Sequence, residues 1–99
     1  MNSTPVKRSA LILVDLQHDF LDRPDVQPAG VVAAAASLLD GFRRAGLPVA
    51  HVRTVVRPDG TDAMAHWRAA RRLPCVAGTP GAAAPIELTE RADEYVATK

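Results

Sequence analysis

Four polar residues in this 99-residue sequence close, or lie within, apolar runs that read as strands. Asp15 directly follows the run Ala-Leu-Ile-Leu-Val at 10–14, His51 and Arg53 belong to the run at 49–53, and Lys99 ends the stretch 94–99. In open α/β sheets, ligands bind outside the carboxyl ends of the strands. A carboxylate and an ammonium brought together at such a rim tune each other's protonation and can hold a proton-transfer site.

Other reactive residue types carry weaker signals. Cys75 is the single cysteine, so neither an internal disulfide framework nor a multi-cysteine zinc site is open to the chain. It lies between Pro74 and Val76 in a loop, where an isolated cysteine behaves as a small apolar residue. Asp59, Asp62 and His66 are close enough in sequence to suggest a metal, but turn formation and helix capping account for both aspartates, and no metal is expected. Trp67 on an amphipathic helix reads as core, with the lining of a pocket as the functional alternative. Arg68, Arg71 and Arg72 read as a solvated face, with recognition of a substrate carboxylate as the functional alternative.

The elements that must position these groups follow from pattern. Continuous hydrophobicity at 10–14 suits a strand buried on both faces of a parallel sheet. The stretch 17–30, with Pro24 and Pro28, is too rich in breakers for a regular element. A helix is predicted over 31–45, with Val32, Ala35, Leu39 and Phe42 on one face, Gly46 as its cap residue and Pro48 preventing continuation. A second strand follows at 49–53, which makes a βαβ unit. Thr61 or Asp62 is expected to cap a short helix running to Leu73, where Pro74 stops it. Gly78-Thr79-Pro80-Gly81 is a turn, 82–93 carries no clear pattern, and 94–99 reads as a third strand. Three parallel strands with one full helix would leave sheet surface and edges bare, so the chain reads as half of a larger unit.

The string Leu11-Ile12-Leu13-Val14-Asp15-Leu16-Gln17-His18-Asp19-Phe20 resembles the opening motif of the isochorismatase-like cysteine hydrolases, an apolar strand followed by Asp-x-Gln-Asn-Asp-Phe. Gly46-Leu47-Pro48-Val49-Ala50-His51-Val52-Arg53 is similar to that family's second-strand signature, and Gly78-Thr79-Pro80-Gly81-Ala82 to the loop before its lysine. Lys99 stands where that lysine belongs. The resemblance spans the chain but only the first half of the family's catalytic domain. It implies a Rossmann-like three-layer α/β/α parallel sheet, present as its first three strands, with residues 1–99 as the N-terminal half of a hydrolase domain. It implies a Cys-Asp-Lys triad in which Asp15 is the general base and Lys99 holds thiolate and carboxylate in register, with Gln17 and Phe20 as substrate-pocket residues. The nucleophile belongs to a Gly-x-x-Thr-x-x-Cys-Val type segment that Cys75 does not match. His18 departs from the usual asparagine and reads as a surface residue, with a change of specificity or an added titrating group in the pocket as the functional alternative. The nicotinamidase branch's Asp-x-His pair is missing from 54–60.

The expected activity is therefore metal-independent and cofactor-free hydrolysis of a small amide, carbamoyl or vinyl-ether substrate, absent from the chain alone. The expected partners are a complementary C-terminal half or a second copy. The alternatives are a non-catalytic interaction module or one chain of a split enzyme, and, more remotely, a receiver-like phosphoacceptor domain using Asp15. Twelve basic against eleven acidic residues give a net charge of +1, which offers no footprint for nucleic acid or anionic lipid. No apolar run approaches the roughly 20 residues of a membrane span, and a signal-peptide pattern is lacking, so a cytoplasmic protein is expected. Eighteen of the apolar residues are alanine, which leaves few large side chains to build a core.

Overall fold

The computed structural model describes residues 8–99. Its centre is a three-stranded parallel sheet in the order β1 (Leu11–Val14), β2 (Val49–Arg53), β3 (Tyr95–Thr98). Leu13 lies opposite His51, which lies opposite Val96, while Ile12, Ala50 and Tyr95 form the neighbouring row. Helix α1 (His18–Leu21) follows β1, α2 (Pro28–Arg44) links β1 to β2, and α3 (Ala65–Ala69) lies in the long β2–β3 connection. That connection also contains two 3-10 turns, Pro80–Ala82 and Ile86–Leu88. No helix among the described residues is long and apolar enough to cross a membrane.

The α2 face that the sequence singles out is the one that packs. Ala35 and Leu39 join Leu13, Val49 and Leu88 in the buried core, with Val32 and Phe42 against it. The helix ends as expected. Gly46, at φ +69, donates its N–H to the Arg43 carbonyl while Leu47 N–H reaches the Phe42 carbonyl, the paired bonds of a Schellman cap.

Two expectations need correction. The segment 17–30 is not wholly irregular, because α1 forms within it and α2 begins at Pro28. Proline at the first helical position loses no intrahelical bond and is pre-set for the helix. Helix α3 is shorter than 61–73 and neither Thr61 nor Asp62 caps it; Met64 occupies that position without a side-chain bond. It stops because Arg71 adopts φ +56, with Arg71 N–H on the Arg68 carbonyl and Arg72 N–H on the Trp67 carbonyl. That is a second Schellman-type end, formed without glycine.

The sheet is covered on one side. Leu13, Val49 and His51 are buried beneath α2 and the Ile86–Leu88 turn. On the other side Ile12 is 59%, Val14 50% and Tyr95 69% exposed.

An ionic cluster closes the covered side at β3. Glu94 receives the Arg43 guanidinium through two bonds of 2.6 and 2.7 Å, and Arg43 also donates to the Thr89 carbonyl at 2.9 Å. Arg91 N–H donates to Glu94 Oε1 at 3.0 Å, and His51 Nε2 lies 2.9 Å from the same oxygen. The ionised carboxylate can only accept, so Nε2 carries the proton in this contact. The Arg43 hydrogen bond, foremost, holds Glu94 well below the usual carboxylate range. A carboxylate depressed in the folded chain contributes stability above its unfolded pKa and loses it as pH falls. Thermal unfolding midpoints should therefore drop as pH is lowered through about 4 and below. Glu94→Gln should flatten that slope; an unchanged slope would remove Glu94 from the account.

Candidate active site at the carboxyl rim of the sheet

The three strand ends each deliver one side chain to a single place. Asp15 leaves β1 in the left-handed region at φ +57, a conformation that aspartate tolerates better than most residues. Its N–H remains bonded to the Val52 carbonyl at 2.8 Å, so the turn begins directly at the strand end. The Lys99 ammonium lies 3.1 Å from Asp15 Oδ2, with the two side chains 55% and 28% exposed. Lys99 is itself seated on β2, donating its N–H to the Arg53 carbonyl and accepting from Val55 N–H. The third member is Thr54, whose hydroxyl donates to Asp15 Oδ1 at 3.0 Å. One carboxylate oxygen thus takes a neutral donor and the other a cation, a fixed and partly open arrangement.

Gln17, expected in the substrate pocket, is instead fully buried. Its amide donates to the carbonyls of Thr54 (2.7 Å) and Ala82 (2.8 Å), and its Oε1 accepts from Thr54 N–H at 2.9 Å. It brackets Thr54 to the loop ahead of β3 and so holds the rim.

Phe20 does line one. Its ring centroid is 6.3 Å from that of Trp67, tilted by 39°. The two border a cavity of about 430 Å³ with Asp19, Arg23, His66 and Arg72 among its walls. Trp67 is therefore a half-buried wall residue and not core. Of the three arginines, Arg72 reaches this cavity. His18 is exposed at the start of α1 and borders a separate, more apolar cavity of about 520 Å³ between α1 and α2.

His51 does not join the rim. It is 2% exposed in mid-sheet, on the covered face, and its partner is Glu94. Alternation along β2 sends 49, 51 and 53 to that face. Asp59 accepts from Thr61 N–H and Oγ1, and Asp62 from Arg57 N–H, so both aspartates serve their turn.

Cys75 is fully buried at φ +55, its N–H donating to Asp19 Oδ2 at 2.7 Å. Asp19 lies where a side chain on Gly81 would have to go, so any larger residue there would have to displace the Asp19 carboxylate. Burial first, then the charges of Asp19 and Asp15, pushes the thiol up to about 11. Such a thiol is almost wholly protonated near neutrality. In the folded chain Cys75 should react with a thiol reagent at pH 8 at least about 10²-fold more slowly than an unperturbed cysteine, and in denaturant at the ordinary rate. Rapid labelling under native conditions would contradict the burial.

A family model described as the isochorismatase domain matches residues 9–99. The chain belongs to the isochorismatase family. Among solved structures, this isochorismatase-family chain is similar to an isochorismatase family protein from Desulfovibrio vulgaris, at 36% identity and a TM-score of 0.76 over 91% of this chain and 51% of that one. It is similar to N-carbamoylsarcosine amidase from Thermoplasma acidophilum at 27% identity and a TM-score of 0.68, over 91% and 50% of the two chains. It shares its fold with a pyrazinamidase of Pyrococcus horikoshii solved with zinc, at 22% identity and a TM-score of 0.67, over 91% and 50%. The chain spans about half the length of these structures. No curated protein matches it. The open three-stranded parallel sheet is the Rossmann-like α/β arrangement that the motifs implied.

Proposed function

We propose that Asp15 and Lys99 are the proton-transfer half of a cysteine hydrolase centre, acting on a small amide, carbamoyl or vinyl-ether substrate. The observation that carries this reading is the 3.1 Å contact between them at the carboxyl rim, with Thr54 fixing the other carboxylate oxygen. A thiol supplied beside this pair would lose its proton to Asp15, and the Lys99 ammonium would stabilise the thiolate. For an amide or carbamoyl substrate the thiolate then attacks the carbonyl carbon, the amine leaves with the proton that Asp15 took from the thiol, and water cleaves the resulting thioester to release the acid and restore the thiol. In this reading Cys75 is not the nucleophile, which its burial and its raised pKa support. The reading is metal-independent because residues 54–60 lack the Asp-x-His pair of the metal-using branch. The cavity beside Phe20 is the proposed substrate pocket, and Arg72 its group for an anionic substituent. Likeness to an N-carbamoylsarcosine amidase supports the amide and carbamoyl classes.

In this proposal the thiol comes from a complementary C-terminal half. The test is reconstitution: the chain alone should not hydrolyse such substrates, and addition of a polypeptide with the Gly-x-x-Thr-x-x-Cys segment should confer activity. The exposed face of Ile12, Val14 and Tyr95 favours one second reading, a non-catalytic interaction module. Tight association of the two polypeptides without turnover would select it.

A further inference from the structure

We infer that Glu94 is a positioning residue that sets the register of β3 and so delivers Lys99 to Asp15. The inference rests on the proposed roles of those two residues. β3 is an edge strand with little apolar anchorage, since Tyr95 is 69% and Val96 40% exposed. Its backbone ladder to β2 is no guarantee of register, because similar bonds re-form after a slip. The specific hold lies in the residues that lead into it.

Glu94 immediately precedes β3 and its side chain is 6% exposed. It gathers contacts from Arg43 on α2, from His51 on β2 and from Arg91 N–H in the preceding turn. Four residues earlier, Glu90 takes the Arg53 guanidinium at 2.7 Å. Cationic or proton-bearing groups of α2 and β2 therefore grip both ends of the lead-in. A bidentate guanidinium–carboxylate pair is specific in geometry as well as strong. Sliding β3 by one residue would carry Glu94 about 3.3 Å from its partners and turn every following side chain to the other face. Lys99 lies roughly 17 Å further along the extended chain, so Glu94 acts on it through strand register and not by contact.

The sequence makes the test clean, because Lys99 is the only lysine besides Lys7. A zero-length carbodiimide cross-link between Asp15 and Lys99 is mapped by mass spectrometry in the 99-residue chain. Mixing ¹⁴N- and ¹⁵N-labelled chains identifies any cross-links between copies. The parent should give the Asp15–Lys99 link within one chain. Glu94→Ala should lower its yield about tenfold or more, since charge-assisted bonds of this kind bias such an equilibrium by at least that factor. Glu94→Gln, which keeps volume and one acceptor, should fall between, and it is the variant to read if the alanine form does not fold. Val32→Ala, which thins the core packed against α2 and removes none of the Glu94 bonds, controls for general loss of stability. Its link should persist at a matched folded fraction. Parent-level cross-linking in both Glu94 variants, or equal loss in Val32→Ala, overturns the inference. A Glu94-dependent link, found together with a reconstituted Asp15→Asn enzyme that stays active, would keep the register role and discard the catalytic reading.

Discussion

Asp15→Asn is expected to lower kcat of the reconstituted enzyme by about 10²–10⁴, the usual cost of removing a general base, with a much smaller effect on KM. The substitution preserves shape, and Thr54 can still donate to the amide oxygen at the place of Oδ1. The other branch becomes an NH₂ group facing the Lys99 ammonium, so two donors meet where a carboxylate and a cation stood 3.1 Å apart. Base and ion pair are lost in one step. Lys99→Ala should be similarly damaging, because the thiolate then lacks its stabilising charge. Cys75→Ser should leave turnover intact, as the buried thiol donates to the Gly81 carbonyl in its own loop. Steady-state kinetics on the three variants decide the matter. Loss of turnover in Cys75→Ser with retention in Asp15→Asn would overturn the site.

The parts of this arrangement that local chemistry dictates were legible in the sequence. The apolar run before Asp15, the α2 stripe of Val32, Ala35, Leu39 and Phe42, and the Gly46 cap each follow from periodicity or from backbone freedom at one residue. Long-range polar bonding was not legible. The resemblance implies Gln17 as a pocket residue, yet its amide is spent on Thr54 and Ala82, 37 and 65 residues away. Thr54 carried a usable signal, as the first residue beyond β2 and hence a neighbour of the Asp15 turn. His51 also offered one: a histidine on the buried face of a strand needs a partner, and the acidic residues before the third strand were candidates. Helix α1 has four residues and is set by its packing, so propensity could not have found it.

The bare side of the sheet leads to the second large effect. Ile12 and Tyr95 flank Ala50 in one cross-strand row, and Val14 extends the patch along β1. Both sheet edges are open among the described residues, which compounds the exposure with unpaired backbone groups. Burying side chains of this size contributes about 1.5–3 kcal/mol each, and soluble monomers seldom leave such a patch continuous. The isolated chain should therefore sediment as dimers or larger species at micromolar concentration and bind a hydrophobic dye. Ile12→Lys combined with Tyr95→Lys should shift it towards monomer, weakening association at least about tenfold even if each buried side chain realises only half its transfer energy. A complementary C-terminal half, if it covers the same face, should compete with self-association and suppress dye binding in step with complex formation. A chain that sediments as a monomer, binds no dye and unfolds in one cooperative transition would mean that this face is stable in water, and both the self-association and the complementary-half proposals would fall with it.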